Sequence, residues 1–338
     1  MRILEVQNAF KKFSGNSLGS VQNVSFGIEE GELLALVGEN GSGKTTLLRL
    51  IAGLEELDSG VIYLDQERIT GPSENLVPGH PKIKMVHQAF QLSKNLTVID
   101  NIKEVLKGYT AEYKKIRIEA LLSLCKLEHL AHQKPKTLSG GEQQRLAFAR
   151  AIADEPLLLL LDEPFSNLDV MQKHIIKHEV LDMIKHSGTT AILVTHDAQE
   201  ALSLADGIAV IKDGQLLQYD KPEVIYRNPT SPYVAQFFGP TNIIESALLN
   251  GIIPIETGKD HTNTMICIRA EDIRITWNSS DDNLKGKVIR KDYLGAHTDL
   301  EVMINNDLKF IVRTNDQNIR LGDVLYLEMD RQKIHYFQ

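Results

Sequence analysis

The first thirty residues alternate between apolar and polar positions, as in Ile3-Leu4-Glu5-Val6 and Val24-Ser25-Phe26-Gly27-Ile28. Successive side chains of a strand point to opposite faces, so this period predicts strands of an antiparallel layer with one face on a core. After Gly31-Glu32 the pattern becomes the unbroken apolar run Leu33-Leu34-Ala35-Leu36-Val37, which suits a strand buried on both faces. Glycines follow, then Leu47, Leu50, Ile51 and Leu54 at helical spacing, so the local order is strand, glycine loop, helix. Two more unbroken runs, Leu157 to Leu161 and Ala191 to Thr195, each pass into a polar cluster and a further helical stretch. Together they predict an α/β core around a parallel sheet. From about Thr97 to Ala153 the spacing of Leu121, Leu122, Leu124, Leu146, Ala149 and Ile152 predicts a helical insert.

Farther along, Asp213-Gly214 sits between two apolar-rich arms running from Ile208 to Tyr219, which predicts a hairpin with a type I′ turn. Pro222 and Pro232, the latter behind a capping Ser231, predict two short helices leading to Gly239-Pro240. The expected boundary therefore falls at about residue 240, giving domains 1–240 and 241–338. Six short β-rich runs lie beyond it: Met265 to Ile268, Ile273 to Trp277, Lys287 to Tyr293, Leu300 to Ile304, Lys309 to Thr314 and Leu325 to Met329. They predict a small barrel.

Composition narrows the class. A chain of 338 residues has room for two cores. A formal charge of −8 argues against a nucleic-acid partner, since phosphate contacts come from clustered Lys and Arg. The longest apolar runs fall far short of the roughly 20 residues that span a bilayer, and the N-terminus shows no signal-peptide apolar region. The chain is expected in the cytoplasm, any membrane role coming through a separate subunit. Cys125 and Cys267 read as reduced thiols, Cys125 as a small core residue. His174 and His178, at i and i+4 beside Glu179, read as a solvated helix face, and Cys125 with His129 lacks a second pair, so no structural metal is expected.

Chemistry enters with Gly38-Glu39-Asn40-Gly41-Ser42-Gly43-Lys44-Thr45, which fits the phosphate-binding pattern G-x-x-x-x-G-K-[ST] in the strand-to-helix context it requires. Gly38, Asn40, Gly41, Ser42 and Gly43 shape a loop whose N–H groups can wrap a β-phosphate. Lys44 suits the β and γ oxygens, Thr45 suits Mg²⁺, and Thr46 continues the set at the start of a helix whose N-terminus favours anions. A second element, Leu157-Leu158-Leu159-Leu160-Leu161-Asp162-Glu163, delivers two carboxylates to the C-terminal end of a strand, where ligands of open α/β sheets bind. Asp162 suits Mg²⁺, and Glu163 suits polarising an attacking water.

The third element, Leu138-Ser139-Gly140-Gly141-Glu142-Gln143-Gln144-Arg145, resembles the signature sequence of ABC ATPases. Ser139 can cap the helix that follows, and the glycines allow a phosphate to approach its N-terminus. The remaining family elements stand in order: Phe13 resembles the adenine-stacking aromatic, Gln88 the Q-loop glutamine, Ser166-Asn167-Leu168-Asp169 the D-loop and His196 the switch histidine. The resemblance covers about residues 1–240 and departs mildly at Asn167, where alanine is usual, and at His87, where an aromatic is common. It implies ATP and Mg²⁺ as cofactors, with Gln88 touching Mg²⁺ or water, Asp169 communicating across a dimer and His196 holding the γ-phosphate. Ser139 and Gly141 of one unit would complete the site formed by Lys44, Gln88, Glu163 and His196 of the other.

Phe237-Phe238-Gly239-Pro240-Thr241-Asn242, Ile268-Arg269-Ala270-Glu271-Asp272-Ile273 and Tyr293-Leu294-Gly295 resemble the junction and motifs of the OB-like (TOBE) regulatory domain of importer ATPases. That resemblance implies a homodimer at the cytoplasmic face of the membrane, integral membrane permease subunits and an extracytoplasmic solute-binding protein. Such importers carry sugars, polyamines, sulfate, molybdate or ferric iron, and the extent of residues 241–338, shorter than in the sugar importers, favours an inorganic ion such as iron, or a polyamine, over a sugar. Soluble ABC ATPases of DNA repair or translation carry tandem cassettes, coiled coils or zinc insertions, none of which is legible here. The stretch from Thr70 to Lys82, with Pro72, Pro78 and Pro81, has no functional reading.

Overall fold

The computed structural model describes residues 1–13, 20–86, 92–165, 170–249, 264–279, 283–305 and 308–337, with the backbone alone at 170–176 and 249. Two compact units divide between Glu223 and Val224. The first runs β1 (Arg2–Lys11), β2 (Val21–Glu29), β3 (Leu33–Val37), α1 (Lys44–Ile51), β4 (Ser59–Leu64), β5 (Glu67–Arg68), β6 (Ile83–Val86), α2 (Val98–Val105), α3 (Ala111–Leu124), α4 (Gly140–Ala151), β7 (Leu158–Asp162), α5 (Val170–Ser187), β8 (Thr190–Thr195), α6 (Ala198–Leu204), β9 (Gly207–Lys212) and β10 (Gln215–Asp220). Strands β2-β1-β4-β5 form the expected antiparallel layer, and β10-β9-β3-β8-β7-β6 form a second sheet whose ladders are parallel from β9 to β6.

The unbroken apolar runs are explained by what lies on either side of that second sheet. Leu34, Leu36, Leu158, Leu160, Ile192 and Val194 pack with α1 and the antiparallel layer, while Leu33, Leu159, Leu161, Ala191 and Leu193 pack among α2 to α5. Both faces are thus dry, and each fully buried leucine contributes about 1.5–3 kcal/mol. The helical insert is α2, α3 and α4, with Thr97, Thr110 and Ser139 as side-chain N-caps. The hairpin between β9 and β10 turns through Asp213 (φ 49°) and Gly214 (φ 79°), both left-handed as a type I′ turn requires. It braces the glycine loop: Gly214 N–H donates to Ser42 O at 2.9 Å, and Gln22 N–H donates to Gly214 O at 2.7 Å.

The second unit takes in most of α7 (Pro222–Arg227), then α8 (Pro232–Phe237), β11 (Thr241–Glu245), α9 (Ser246–Leu249), β12 (Met265–Arg269), β13 (Ile273–Thr276), β14 (Leu284–Tyr293), β15 (Thr298–Met303), β16 (Lys309–Thr314), β17 (Val324–Met329) and β18 (His335–Phe337). Ser231 caps α8, its Oγ accepting from Val234 N–H. The division lies upstream of the boundary expected near 240 because the two helices are tied to the β-strands that follow. Arg269 donates to the carbonyls of Tyr226 and Ala235 and lies 3.7 Å from the Tyr226 ring centroid, and the Thr241 hydroxyl also donates to Ala235 O. Tyr226 donates to Glu271, and burial first, then that carboxylate, push its phenol up to about 12.

The six expected C-terminal strands form, and the sequence reading missed two more, β11 and β18. A three-stranded sheet β11-β12-β18 accompanies a five-stranded sheet β13-β17-β14-β15-β16 whose edge strands β13 and β16 come together, as in a partly open barrel. Asn242 stitches the two sheets, its amide donating to Ile268 O and Ile311 O and accepting from Ile311 N–H. Among the described residues no helix is long and apolar enough to cross a membrane.

Candidate functional site

Three neighbouring parallel strands, β3, β8 and β7, end at the same edge of the sheet, although the chain visits β8 last. The glycine loop follows β3, Asp162 and Glu163 close β7, and His196 follows β8. The strand order therefore sets His196 between the glycine loop and the paired carboxylates, at the edge where open α/β sheets bind ligands.

Within the loop, Gly38 (φ 151°) and Gly43 (φ 104°) have backbones that side chains rarely adopt. A Cβ on Gly38 would sit 2.1 Å from Ile211 O, and one on Gly43 would sit 2.1 Å from Ser20 O. Lys44, the first residue of α1, is buried, and its Nζ donates to Gly38 O and Glu39 O at 2.8 Å each. Burial holds its ammonium below the ordinary value, against the opposing pull of Glu163, Asp162 and Glu39. Thr45 Oγ1 donates to Asp162 Oδ1 at 3.4 Å, and Glu163 Oε1 lies 3.4 Å from His196 Nδ1. Glu163 has a left-handed backbone (φ 45°), unusual for a side-chain-bearing residue and a feature that clusters at functional sites.

The arrangement fits a polyphosphate. Ser42 Oγ is buried in the loop with no hydrogen-bond partner among the described residues, a donor that an anionic oxygen would satisfy. Lys44 gives two of its three ammonium protons to loop carbonyls, so its charge is held at the loop instead of swinging in solvent. A divalent cation fits too, since Thr45 and Asp162 present a hydroxyl and a carboxylate side by side, the hard oxygen donors that Mg²⁺ takes together with phosphate oxygens.

Of the residues singled out by sequence, Lys44, Thr45, Asp162, Glu163 and His196 are thus brought together with the loop Gly38, Asn40, Gly41, Ser42, Gly43 and Thr46. Ser139 and Gly141 are elsewhere, at the start of α4. There a capping box forms: Ser139 Oγ accepts from Glu142 N–H, while Ser139 N–H donates to Glu142 and holds that carboxyl below its usual range. Phe13, just past β1, has an exposed ring with Lys11 Nζ 5.4 Å from its centroid. Gln88, His87, the D-loop Ser166-Asn167-Leu168-Asp169 and the side chain of His174 lie outside the described residues.

Sequence reasoning gave no role to the residues that set the His196 turn. Thr195 Oγ1 donates to the buried Glu200 carboxylate at 2.6 Å and accepts from Asp197 N–H, and Asp197 caps α6. The spacing Asp197-x-x-Glu200 is that of a capping box and was a legible signal.

Comparison with known proteins agrees with this picture. The ABC transporter family model matches residues 21–166, and the TOBE domain model matches 266–337. The chain is 34% identical to the Fe(3+) ions import ATP-binding protein FbpC of Fusobacterium nucleatum, over 99% of this chain and 93% of that one. It is 35% identical to the spermidine/putrescine import ATP-binding protein PotA of Pseudomonas fluorescens (94% and 92%) and 33% identical to the glucose import ATP-binding protein GlcV of Saccharolobus solfataricus (98% and 98%). Among solved structures, a post-hydrolysis dimer of the ATP-binding cassette MJ0796 bound to ADP and Pi superposes with a TM-score of 0.55 at 30% identity, covering 65% of this chain and 98% of that one. CbiO1 from Clostridium perfringens, part of an ABC transporter complex, gives 0.61 at 27% identity over 66% and 90%. The chain belongs to the family of ABC import ATP-binding proteins with a TOBE domain, and it is an ATPase.

Proposed function

We propose that this ATPase powers an importer from the cytoplasmic face of the membrane, as a homodimer beside two integral membrane permease subunits and with an extracytoplasmic solute-binding protein in the same system. The observation that carries the reading is the meeting of the Lys44 loop, the Thr45–Asp162 pair and the Glu163–His196 pair at one sheet edge. In this reading Phe13 stacks on adenine, the loop N–H groups with Ser42 and Lys44 hold the phosphates, and Thr45, Asp162 and Gln88 hold Mg²⁺. Bound Mg²⁺ supplies charge neutralisation on the phosphate oxygens. Glu163 orients and polarises the attacking water, and His196 donates to the γ-phosphate. Ser139 and Gly141 of the partner close the site, Asp169 carries the contact across the dimer, and ATP drives the permease by binding the closed dimer better than the open one.

An inorganic ion such as iron, or a polyamine, is the favoured cargo, with residues 241–338 as an OB-like regulatory domain. Support comes from the ferric-iron and polyamine relatives, although a glucose-import relative matches over a similar span. The test pairs two measurements in cells with and without this chain. Mass spectrometry of proteins co-purified in mild detergent should recover a multispanning permease, and labelled Fe³⁺ or spermidine uptake should drop on deletion. Recovery of soluble nucleic-acid factors alone would overturn the importer reading, and selective loss of glucose uptake would overturn the cargo.

A further inference from the structure

The turn that carries Glu163 is held from both sides. Glu163 N–H donates to Val194 O on β8 at 3.2 Å, and one residue after Glu163 the carbonyl of Pro164 accepts from Gln144 Nε2 at 3.1 Å. A left-handed glutamate backbone persists only where its surroundings over-determine it, and these two bonds flank it. Gln144 is 2% exposed, and its Oε1 is buried with no hydrogen-bond partner among the described residues. Packing alone would be met better by an apolar side chain, because the buried unpaired oxygen is unfavourable. The donated bond is what the amide supplies that an apolar side chain would not.

That bond joins two distinct places. Gln144 stands one turn into α4, the helix that begins at Ser139 and Gly141. Pro164 stands beside Glu163. We propose that Gln144 is a positioning residue that couples the two nucleotide sites of the dimer: it ties the helix whose start completes the partner's site to the turn that aims this chain's own Glu163. The inference rests on the dimer reading above, in which Ser139 and Gly141 serve the opposite site. When nucleotide draws the start of α4 across the interface, the Gln144 amide pulls on the Pro164 carbonyl and seats the glutamate in the same movement.

The test uses the full-length chain carrying Q144M or Q144L, each of which keeps roughly the volume and removes the amide donor. Expected results are MgADP affinity within about twofold of wild type, a Hill coefficient for ATP hydrolysis falling from about 2 to about 1, and a kcat about tenfold lower. Wild-type Hill coefficient and kcat in either folded variant would overturn the proposal, as would a lowered melting temperature with cooperativity intact, which marks a purely structural role. The dimer reading is checked apart: E163Q should elute as a dimer with ATP. A monomeric E163Q together with a wild-type Hill coefficient of about 1 would remove that reading, and this proposal with it, whereas a dimeric E163Q with unchanged Gln144 variants removes this proposal alone.

Discussion

Glu163 and His196 come from adjacent parallel strands and meet with the carboxylate Oε1 3.4 Å from the imidazole Nδ1. Only α5 separates the two strands in the chain, so the pair forms when that β-α-β unit closes. Glu163→Gln removes the base and keeps the shape. It is expected to lower phosphate release on the order of a hundredfold or more while ATP binding persists, read by a phosphate-release assay beside nucleotide titration. Turnover at the wild-type rate would take Glu163 out of the reaction.

Gly43→Ala forces a Cβ towards Ser20 O in a backbone at φ 104°. The strain alone costs about 1–3 kcal/mol, and the clash displaces the loop that the hairpin braces. Calorimetric titration with MgATP should show affinity reduced at least about tenfold, with a lower melting temperature. Gly188→Ala is the control, since its backbone is also left-handed (φ 66°) but nothing lies within 4 Å of the added methyl, so stability drops while affinity holds.

Burial pushes the Cys125 thiol up to about 12 and the Cys267 thiol up to about 11, from an ordinary value of 9.0. Each thiol therefore favours the folded state while protonated. That contribution is whole below about pH 9 and disappears as the pH climbs through the folded values, so denaturant midpoints should decline progressively above pH 9. Folded protein at pH 8 should leave both thiols unlabelled by an aromatic disulfide reagent, and guanidinium should expose two. Prompt labelling of the native chain would contradict the burial.

Arg313 donates to both oxygens of Asp299, at 2.8 and 2.9 Å, and holds that carboxyl below its usual range. The folded state gains from the ionised form, so the benefit is present above the ordinary carboxylate value and fades as the pH falls through the folded one. Asp299→Ala should cost about 1–3 kcal/mol in the second unit and flatten its acid-side dependence, measured by melts between pH 3 and pH 7. Asp299→Leu with Arg313→Leu together should cost less than Asp299→Ala, because no charge is then left unpaired.

Much of the site could be read from the chain because its parts are local. The glycine loop needs only a strand before it and a helix after it, and Ser139 with Glu142 forms a capping box within four residues. What the chain hides is spatial order. Nothing local says that β8 inserts between β3 and β7, and so nothing sets the Glu163–His196 pair beside the glycine loop. The Gln144 to Pro164 bond spans 20 residues and reads in sequence as one more polar position of a helix. Strand β18 has three residues, too few for alternation to register. The Thr70 to Lys82 stretch is organised by Asn75, whose amide donates to Thr70 and Gly71, while Leu76 and Val77 stand exposed. Nothing in the structure assigns that stretch a function.

The bond from Gly214 to Ser42 has a consequence for synthesis on the ribosome. The glycine loop emerges early, yet the hairpin that braces it is made more than 150 residues later, and β3 has no neighbours until β8 and β9 have been translated. A nascent chain stopped before β8 owns every residue of the phosphate-binding pattern but neither sheet neighbour of β3 nor the bracing hairpin. Nucleotide affinity should therefore arise abruptly as the last strand of the first unit leaves the exit tunnel, making ATP a ligand that reports completion of the fold.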